Sequence, residues 1–449
     1  MKITLRRVCI CIALIYLAFS AYATYIVFFK TKAVNRIQRV TKKGKGSVPQ
    51  TAGPNHLKDV LSVEDGEWNP WEEDEKKSTL SPKDQNVILK NIKDYPSEKK
   101  EQYFKVQIWG KAAIGLYLWE HILEGQLNPS DPTAQWRIGN LHLGKIHFSF
   151  YTGPSVVPKY LPLDSTFVVL VLNGREEQKI SYAIQWLQHV KSLVQTRKIL
   201  HVAVVLLGSE QCNNDWIRVY LRQNGGFIDL LFLVYDSPWV NGRDIFQWPL
   251  GVATYRGFPI VSPDNLLLNS ERPYLCNFLG TIYKNSSRET LLSVMREKQL
   301  EKHCIIAARE EWLPQETSES LKRYQNSLMN SDLTLCPVGI NTESYRIYEA
   351  CSCGSVPVVE DIMTPGNCGN SALNQNPPLQ LLKLMKAPFI FLKDWRTLPE
   401  VFEKEKKMSL QAKNIRRKKL VEWYNNFKHN LKELFTEKLE QTVFLKDSR

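Results

Sequence analysis

Short, unbroken apolar runs recur along most of this chain, each closed by a turn and followed by a helical repeat. Val106-Gln107-Ile108-Trp109 reads as a strand, Gly110-Lys111 as a turn, and Ala112 to Glu124 as a helix. Phe167 to Leu172 is a β-rich run ending at Asn173-Gly174-Arg175, and apolar residues then recur at helical spacing from Glu177 to Val194. Val202 to Leu207, closed by Gly208, and Leu230 to Tyr235, closed by Asp236-Ser237-Pro238, predict two more strands. Strands without polar alternation are buried on both faces, and their alternation with helices predicts a parallel sheet covered on both sides.

A second series begins at Tyr274. Tyr274 to Leu279, Leu333 to Cys336 and Val356 to Val359 read as strands, and 288–299, 319–328 and 343–352 as helices, the last stopped by Gly354. The chain is therefore expected to be an α/β protein with two doubly wound, Rossmann-like lobes: an N-terminal lobe over 104–265 and a C-terminal lobe over 266–400. Ligands of such sheets lie at the carboxyl ends of the strands. Residues 401–449 read as a basic helical segment.

The N-terminal hundred residues follow a different pattern. Val8 to Phe29 is 22 residues without a charge, enough to cross about 30 Å of hydrocarbon as a helix. Ala21-Tyr22-Ala23 resembles a signal-peptidase site, but the apolar run continues past it, so an uncleaved anchor at 8–29 behind a tail at 1–7 is expected. Three basic residues precede the span and seven follow it from Lys30 to Lys45, and that count alone would put the C-terminal side in the cytosol. Residues 30–103 carry Gly44, Gly46, Pro49, Gly53 and Pro54 and the acidic run Glu72 to Glu75, and they read as a stem. Trp68 and Trp71 interrupt it and are expected to dock on the globular body.

The net charge of +13 concentrates around the apolar span and in the block Lys413, Arg416, Arg417, Lys418 and Lys419. With no zinc-finger spacing and no aromatic RNA-binding signature, a nucleic-acid partner is not expected. Of nine cysteines, Cys9 and Cys11 lie in the span; seven remain, so at least one stays outside any intramolecular disulfide.

The densest chemical signal is Leu333-Thr334-Leu335-Cys336-Pro337-Val338-Gly339, then Ser344-Tyr345-Arg346-Ile347-Tyr348-Glu349-Ala350. It is a strand, a loop and a helix start. Gly339 lets backbone come close to a ligand, and the N–H groups and dipole of the helix favour a diphosphate at about residues 340–344. Arg346 and Glu349 share one helix face, where a cation can neutralise a departing diphosphate and a carboxylate can hold ribose hydroxyls. The plainer alternative is an ion pair between them.

This stretch, with Arg272, Phe278, Gly280 and Arg288 upstream, resembles the C-terminal half of exostosin-type glycosyltransferases: a Pro-x-Gly loop, a Ser-x-Arg and a Glu-Ala helix. The runs Gln107 to His121, Phe246 to Arg256 and Asn277 to Tyr283, with Glu67 to Glu72 in the stem, resemble the members of that family that act on ribitol 5-phosphate. The resemblance implies a GT-B-like pair of lobes and an inverting transfer of xylose from UDP-xylose to ribitol 5-phosphate, with a β1,4 linkage. It also implies the O-mannosyl glycan of α-dystroglycan as acceptor, a single-pass type II Golgi membrane protein with a lumenal body, and other Golgi transferases of the pathway as partners. The acceptor sequon Asn285-Ser286-Ser287 agrees with a lumenal body.

Carried to this chain, the donor-binding residues are Gly280, Arg288, Gly339, Ser344, Arg346 and Glu349. Val338 stands where many relatives carry the loop arginine, and Arg288 is the expected substitute. Inversion needs a base, and Asp236 and Glu176, at strand ends of the N-terminal lobe, are the candidates. The acceptor phosphate should find cations there, at Lys111 and Arg175. The chain holds no Asp-x-Asp, so no metal is expected to be required, with Mg²⁺ or Mn²⁺ at most stimulatory. Two rivals remain: the same fold with another UDP-sugar, and a non-catalytic Golgi scaffold with a degenerate transferase fold.

Overall fold

The computed structural model describes residues 103–444 apart from 161, 264–265, 267, 310–316 and 370–376. The Val8–Phe29 run, the stem and its tryptophans lie outside the described residues. Among the described residues no helix is long and apolar enough to cross a membrane.

The first sheet holds β1 (Phe104–Gly110), β2 (Arg137–Leu143), β3 (Ile146–Thr152), β4 (Phe167–Asn173), β5 (His201–Leu207), β6 (Leu230–Val234) and β7 (Ile245–Trp248), in the order β2-β3-β1-β4-β5-β6-β7. All pairings are parallel except β2 with β3. The sequence of β4 explains its place. Val168, Leu170 and Leu172 pack on one face with Ala183, Trp186, Leu187 and Val190 of helix α1 (Glu177–Gln195), while Phe167, Val169 and Val171 join the core on the other. With both faces apolar, the strand has no solvent side and belongs in the middle of a covered sheet.

The second sheet holds β8 (Tyr274–Thr281), β9 (Cys304–Arg309), β10 (Ser331–Cys336), β11 (Val356–Glu360) and β12 (Ile390–Leu392), all parallel, in the order β12-β11-β10-β8-β9. Between the strands run α2 (Ser287–Glu297), α3 (Ser318–Met329) and α4 (Tyr345–Ser352). The helix expected over 343–352 starts two residues later, with Ser344 at its N-cap, so Glu343 lies in the loop. The helix expected from Ala112 begins at Ile114 and runs into a π-helical turn, Tyr117–Ile122.

The basic C-terminal segment forms α5 (Leu398–Lys407) and the long α6 (Leu410–Phe444). Tyr424 and Phe427 of α6 pack on Tyr348 of the second lobe, and Phe435 packs on Phe148, Phe232 and Trp248 of the first. One helix thus bridges both lobes. Its basic block is largely spent internally: Arg417 and Lys413 pair with Asp332 at 2.6 and 2.8 Å, and Arg416 with Glu405. Among the described residues two disulfides form, Cys212–Cys368 between the lobes and Cys276–Cys304 between β8 and β9, leaving Cys336, Cys351 and Cys353 there as buried thiols.

Candidate functional site

The strands of both sheets end towards a cleft lined from both lobes, with Arg175, Glu210, Leu250 and Ala253 on one side and Gly280, Arg288, Gly339, Glu343, Ser344, Arg346 and Glu349 on the other. All six residues expected to bind the donor line this cleft, together with Arg175.

The loop from β10 to α4 is pinned by its own side chains. Glu360 accepts the Val338 N–H at 2.9 Å, Asn341 Oδ1 accepts the Glu343 N–H at 2.8 Å, and the Thr342 hydroxyl donates to the Ile362 carbonyl at 2.7 Å. Ser344 stands at the N-cap, but its hydroxyl makes no capping bond. That Oγ is buried without a partner in the structure, so a ligand group at the helix start would find an unused donor there.

Arg346 donates from Nη2 to the Leu279 carbonyl at 2.8 Å and lies over the Phe278 ring, 5.0 Å from its centroid. A Cβ on residue 280 would stand 2.9 Å from that Nη2, so Gly280 makes room for the guanidinium. Its Nε is buried without a hydrogen-bond partner. Arg288, also buried, donates to the Thr281 carbonyl at 3.0 Å. Glu349 does not pair with Arg346. Its carboxylate accepts the Ala253 N–H at 3.1 Å and the Tyr324 hydroxyl at 2.5 Å, and burial raises its pKa.

Two carboxylates of the cleft escaped the sequence reading. Glu343 accepts the Leu250 N–H at 2.8 Å and the Tyr348 hydroxyl on one oxygen, and burial pushes its pKa up to about 7. Its position directly before the Ser-x-Arg was the available signal. Glu210 follows the Gly208 turn after β5 and lies 3.8 Å from the Arg175 guanidinium. The same strand-end reasoning that nominated Asp236 would have reached it.

The two base candidates and one acceptor cation stand elsewhere. Asp236 does not line the cleft; its carboxylate accepts the side-chain amide of Gln247 at 2.6 Å and the N–H groups of Leu379 and Gln380 at 2.7 and 3.1 Å, tying the end of β6 to a helix start. Glu176 occupies the N-cap of α1, outside the cleft lining. Lys111 is buried beneath α1, its Nζ 5.5 Å from the centre of the Tyr182 ring. Asn285 is exposed just before α2, with φ of 57°. Among the described residues no group of three or more His, Cys, Asp or Glu side chains is arranged to hold a metal ion.

Comparison with known proteins decides the family. The RXYLT1 N-terminal domain matches residues 106–249 and the RXYLT1 C-terminal domain residues 255–444. Ribitol-5-phosphate xylosyltransferase 1 of Danio rerio is 57% identical over 444 residues, covering 99% of each chain. The chain belongs to the ribitol-5-phosphate xylosyltransferase 1 family. The family's Homo sapiens and Mus musculus members are each 53% identical, again with 99% of both chains covered. The boundary between the two family domains, at residues 250–254, falls on the segment whose Leu250 and Ala253 N–H groups meet Glu343 and Glu349.

Proposed function

We infer that this chain transfers xylose from UDP-xylose to ribitol 5-phosphate, with inversion at the sugar. The observation that carries the reading is its 57% identity, over nearly the full length of both chains, to a ribitol-5-phosphate xylosyltransferase. The cleft supports it with a division of labour between two lobes, one built on a largely parallel sheet and one on a fully parallel sheet, the arrangement expected of a GT-B-like transferase. On the C-terminal side, the start of α4, Ser344 Oγ, Arg346 and Arg288 would receive the diphosphate. Glu349 would accept the ribose hydroxyls, and Phe258, Leu321, Ala307 and Ala308 supply an apolar wall for the uracil. On the N-terminal side, Arg175 would hold the acceptor phosphate. Two arginines and a helix dipole facing the leaving group favour departure of UDP without a required metal ion.

The acceptor on this reading is the ribitol-phosphate end of the O-mannosyl glycan of α-dystroglycan. Its cellular setting would be the Golgi lumen, with Val8–Phe29 as the membrane anchor of a type II protein and Asn285 open to glycosylation. The two disulfides and the exposed sequon fit an oxidising lumen. The rival of a degenerate scaffold sits poorly with a cleft that keeps a buried Ser344 hydroxyl and the Arg346 Nε without protein partners.

The test is transfer by the purified body from a panel of UDP-sugars to a ribitol 5-phosphate glycoside, with the anomer read by NMR. A β-xyloside formed from UDP-xylose is expected. Preference for another UDP-sugar, or no transfer from any, would overturn the reading.

A further inference from the structure

An in-line displacement places the attacking hydroxyl on the face of the sugar opposite the departing diphosphate. If the diphosphate rests on α4 of the C-terminal lobe, the group that takes the hydroxyl's proton belongs on the N-terminal side. Three carboxylates line the cleft among the described residues: Glu210, Glu343 and Glu349. Glu349 already accepts Ala253 and Tyr324, one on each oxygen. Glu343 directly precedes Ser344 in the diphosphate loop, on the leaving-group side. Glu210 alone of the three comes from the N-terminal lobe, at the carboxyl end of β5, and its neighbour is Arg175, the cation facing the acceptor.

We propose that Glu210 is the general base of the transfer, taking the proton from the ribitol hydroxyl that attacks the xylose. This rests on the preceding donor and acceptor assignment. The loop that carries Glu210 is fixed to the opposite lobe at several points. The Glu210 carbonyl accepts Asn341 Nδ2 at 2.6 Å, Asn367 N–H donates to the Gln211 carbonyl at 2.8 Å, and Cys212 is bonded to Cys368. Asn341 belongs to the same loop that leads into α4, so one amide sets the distance between the carboxylate's backbone and the diphosphate site. The hydroxyl oxygen bonds to the anomeric carbon as the bond from that carbon to the UDP oxygen breaks. UDP leaves with the bonding electron pair, Glu210 holds the proton, and the proton passes to solvent when product departs. Arg175 and the Tyr235 hydroxyl, 3.8 and 3.5 Å from Glu210 Oε1, hold the carboxylate at the strand end facing the cleft.

The test compares wild type with Glu210→Gln, a substitution of the same shape at a partly accessible side chain. With ribitol 5-phosphate acceptor, kcat is expected to fall roughly 10²–10⁴-fold, as for loss of a general base, while UDP affinity, which also reports folding, stays within about twofold. Azide needs no proton removed, so xylosyl azide should form in the variant within about threefold of the wild-type rate. Glu210→Asp should recover part of kcat. An active wild type beside a Glu210→Gln variant with undiminished kcat overturns the assignment alone. So does azide transfer that falls in step with acceptor transfer, since the loss would then come from displaced donor. A wild type that transfers no xylose overturns the donor and acceptor reading, and this assignment with it.

Discussion

Glu349, on a helix of the C-terminal lobe, accepts the Ala253 N–H at 3.1 Å from the segment that ends the first lobe. The residue expected to hold ribose is therefore also a strut between the lobes. Glu349→Ala would strand that N–H and the Tyr324 hydroxyl, costing about 1–3 kcal/mol of stability for each buried group left unpaired. Arg346→Ala should lose a similar amount of UDP affinity, about 1.5–3 kcal/mol, with a smaller effect on folding. Urea titration beside UDP calorimetry separates the two: Glu349→Ala should move both measurements, and Arg346→Ala chiefly the second.

Gly280→Ala tests the space around the guanidinium. The added Cβ would meet Arg346 Nη2 at 2.9 Å. The clash falls on the mobile end of a side chain, so stability should change little while Arg346 is pushed from its seat. UDP affinity about tenfold weaker is expected, equivalent to about 1.4 kcal/mol; unchanged affinity would show that Arg346 does not need that position.

The Cys212–Cys368 bridge spans a sequence separation of 156, against 28 for Cys276–Cys304. By loop-closure entropy the first is worth about 5 kcal/mol and the second about 3.5 kcal/mol. Cys212→Ala with Cys368→Ala should therefore lower the denaturation midpoint more than Cys276→Ala with Cys304→Ala. It should also lower kcat, because that bridge fixes the Glu210 loop. Equal midpoints and an unchanged kcat would contradict both statements.

Two buried groups of the core answer the same change of pH in opposite senses. Burial lowers the pKa of His121 from 6.5 to about 4, so the unfolded chain binds the extra proton first and stability falls as pH drops from 6.5 towards 4. Burial raises Glu343 from 4.5 to about 7, so the folded chain holds the extra proton and stability falls as pH rises from 4.5 towards 7. The two windows overlap and the contributions oppose each other, so Glu343→Gln should make stability rise more steeply with pH between about 4.5 and 7, and His121→Phe should make it fall more steeply between about 4 and 6.5; a slope unchanged in either variant would contradict its assignment.

Much of this was legible because it is local. The proposed donor side comes from one contiguous strand, loop and helix start, plus Gly280 and Arg288 of the neighbouring strand and helix. Strands such as β4 and β5 announced themselves as unbroken apolar runs. The β2–β3 hairpin did not, since its residues alternate with His, Asn and Ser and it lies at the sheet edge. The acceptor side was harder, because it depends on which strand ends face the cleft. Lys111 and Asp236 both follow strands, yet one is covered by α1 and the other is consumed by the Leu379 and Gln380 N–H groups. Glu210 and Arg175 meet only because β4 and β5 are adjacent.

The central claim is that donor and acceptor meet across one cleft, each held by its own lobe. Steady-state kinetics of Arg346→Ala and Arg175→Ala, each with UDP-xylose and with phosphorylated and phosphate-free ribitol acceptors, test it directly. Arg346→Ala should raise the KM for UDP-xylose roughly ten- to hundredfold and leave acceptor preference intact. Arg175→Ala should raise the KM for ribitol 5-phosphate, spare that for UDP-xylose, and erase most of the preference for the phosphorylated acceptor. An Arg175→Ala enzyme that discriminates as wild type does, or one that loses UDP-xylose instead, would contradict the account.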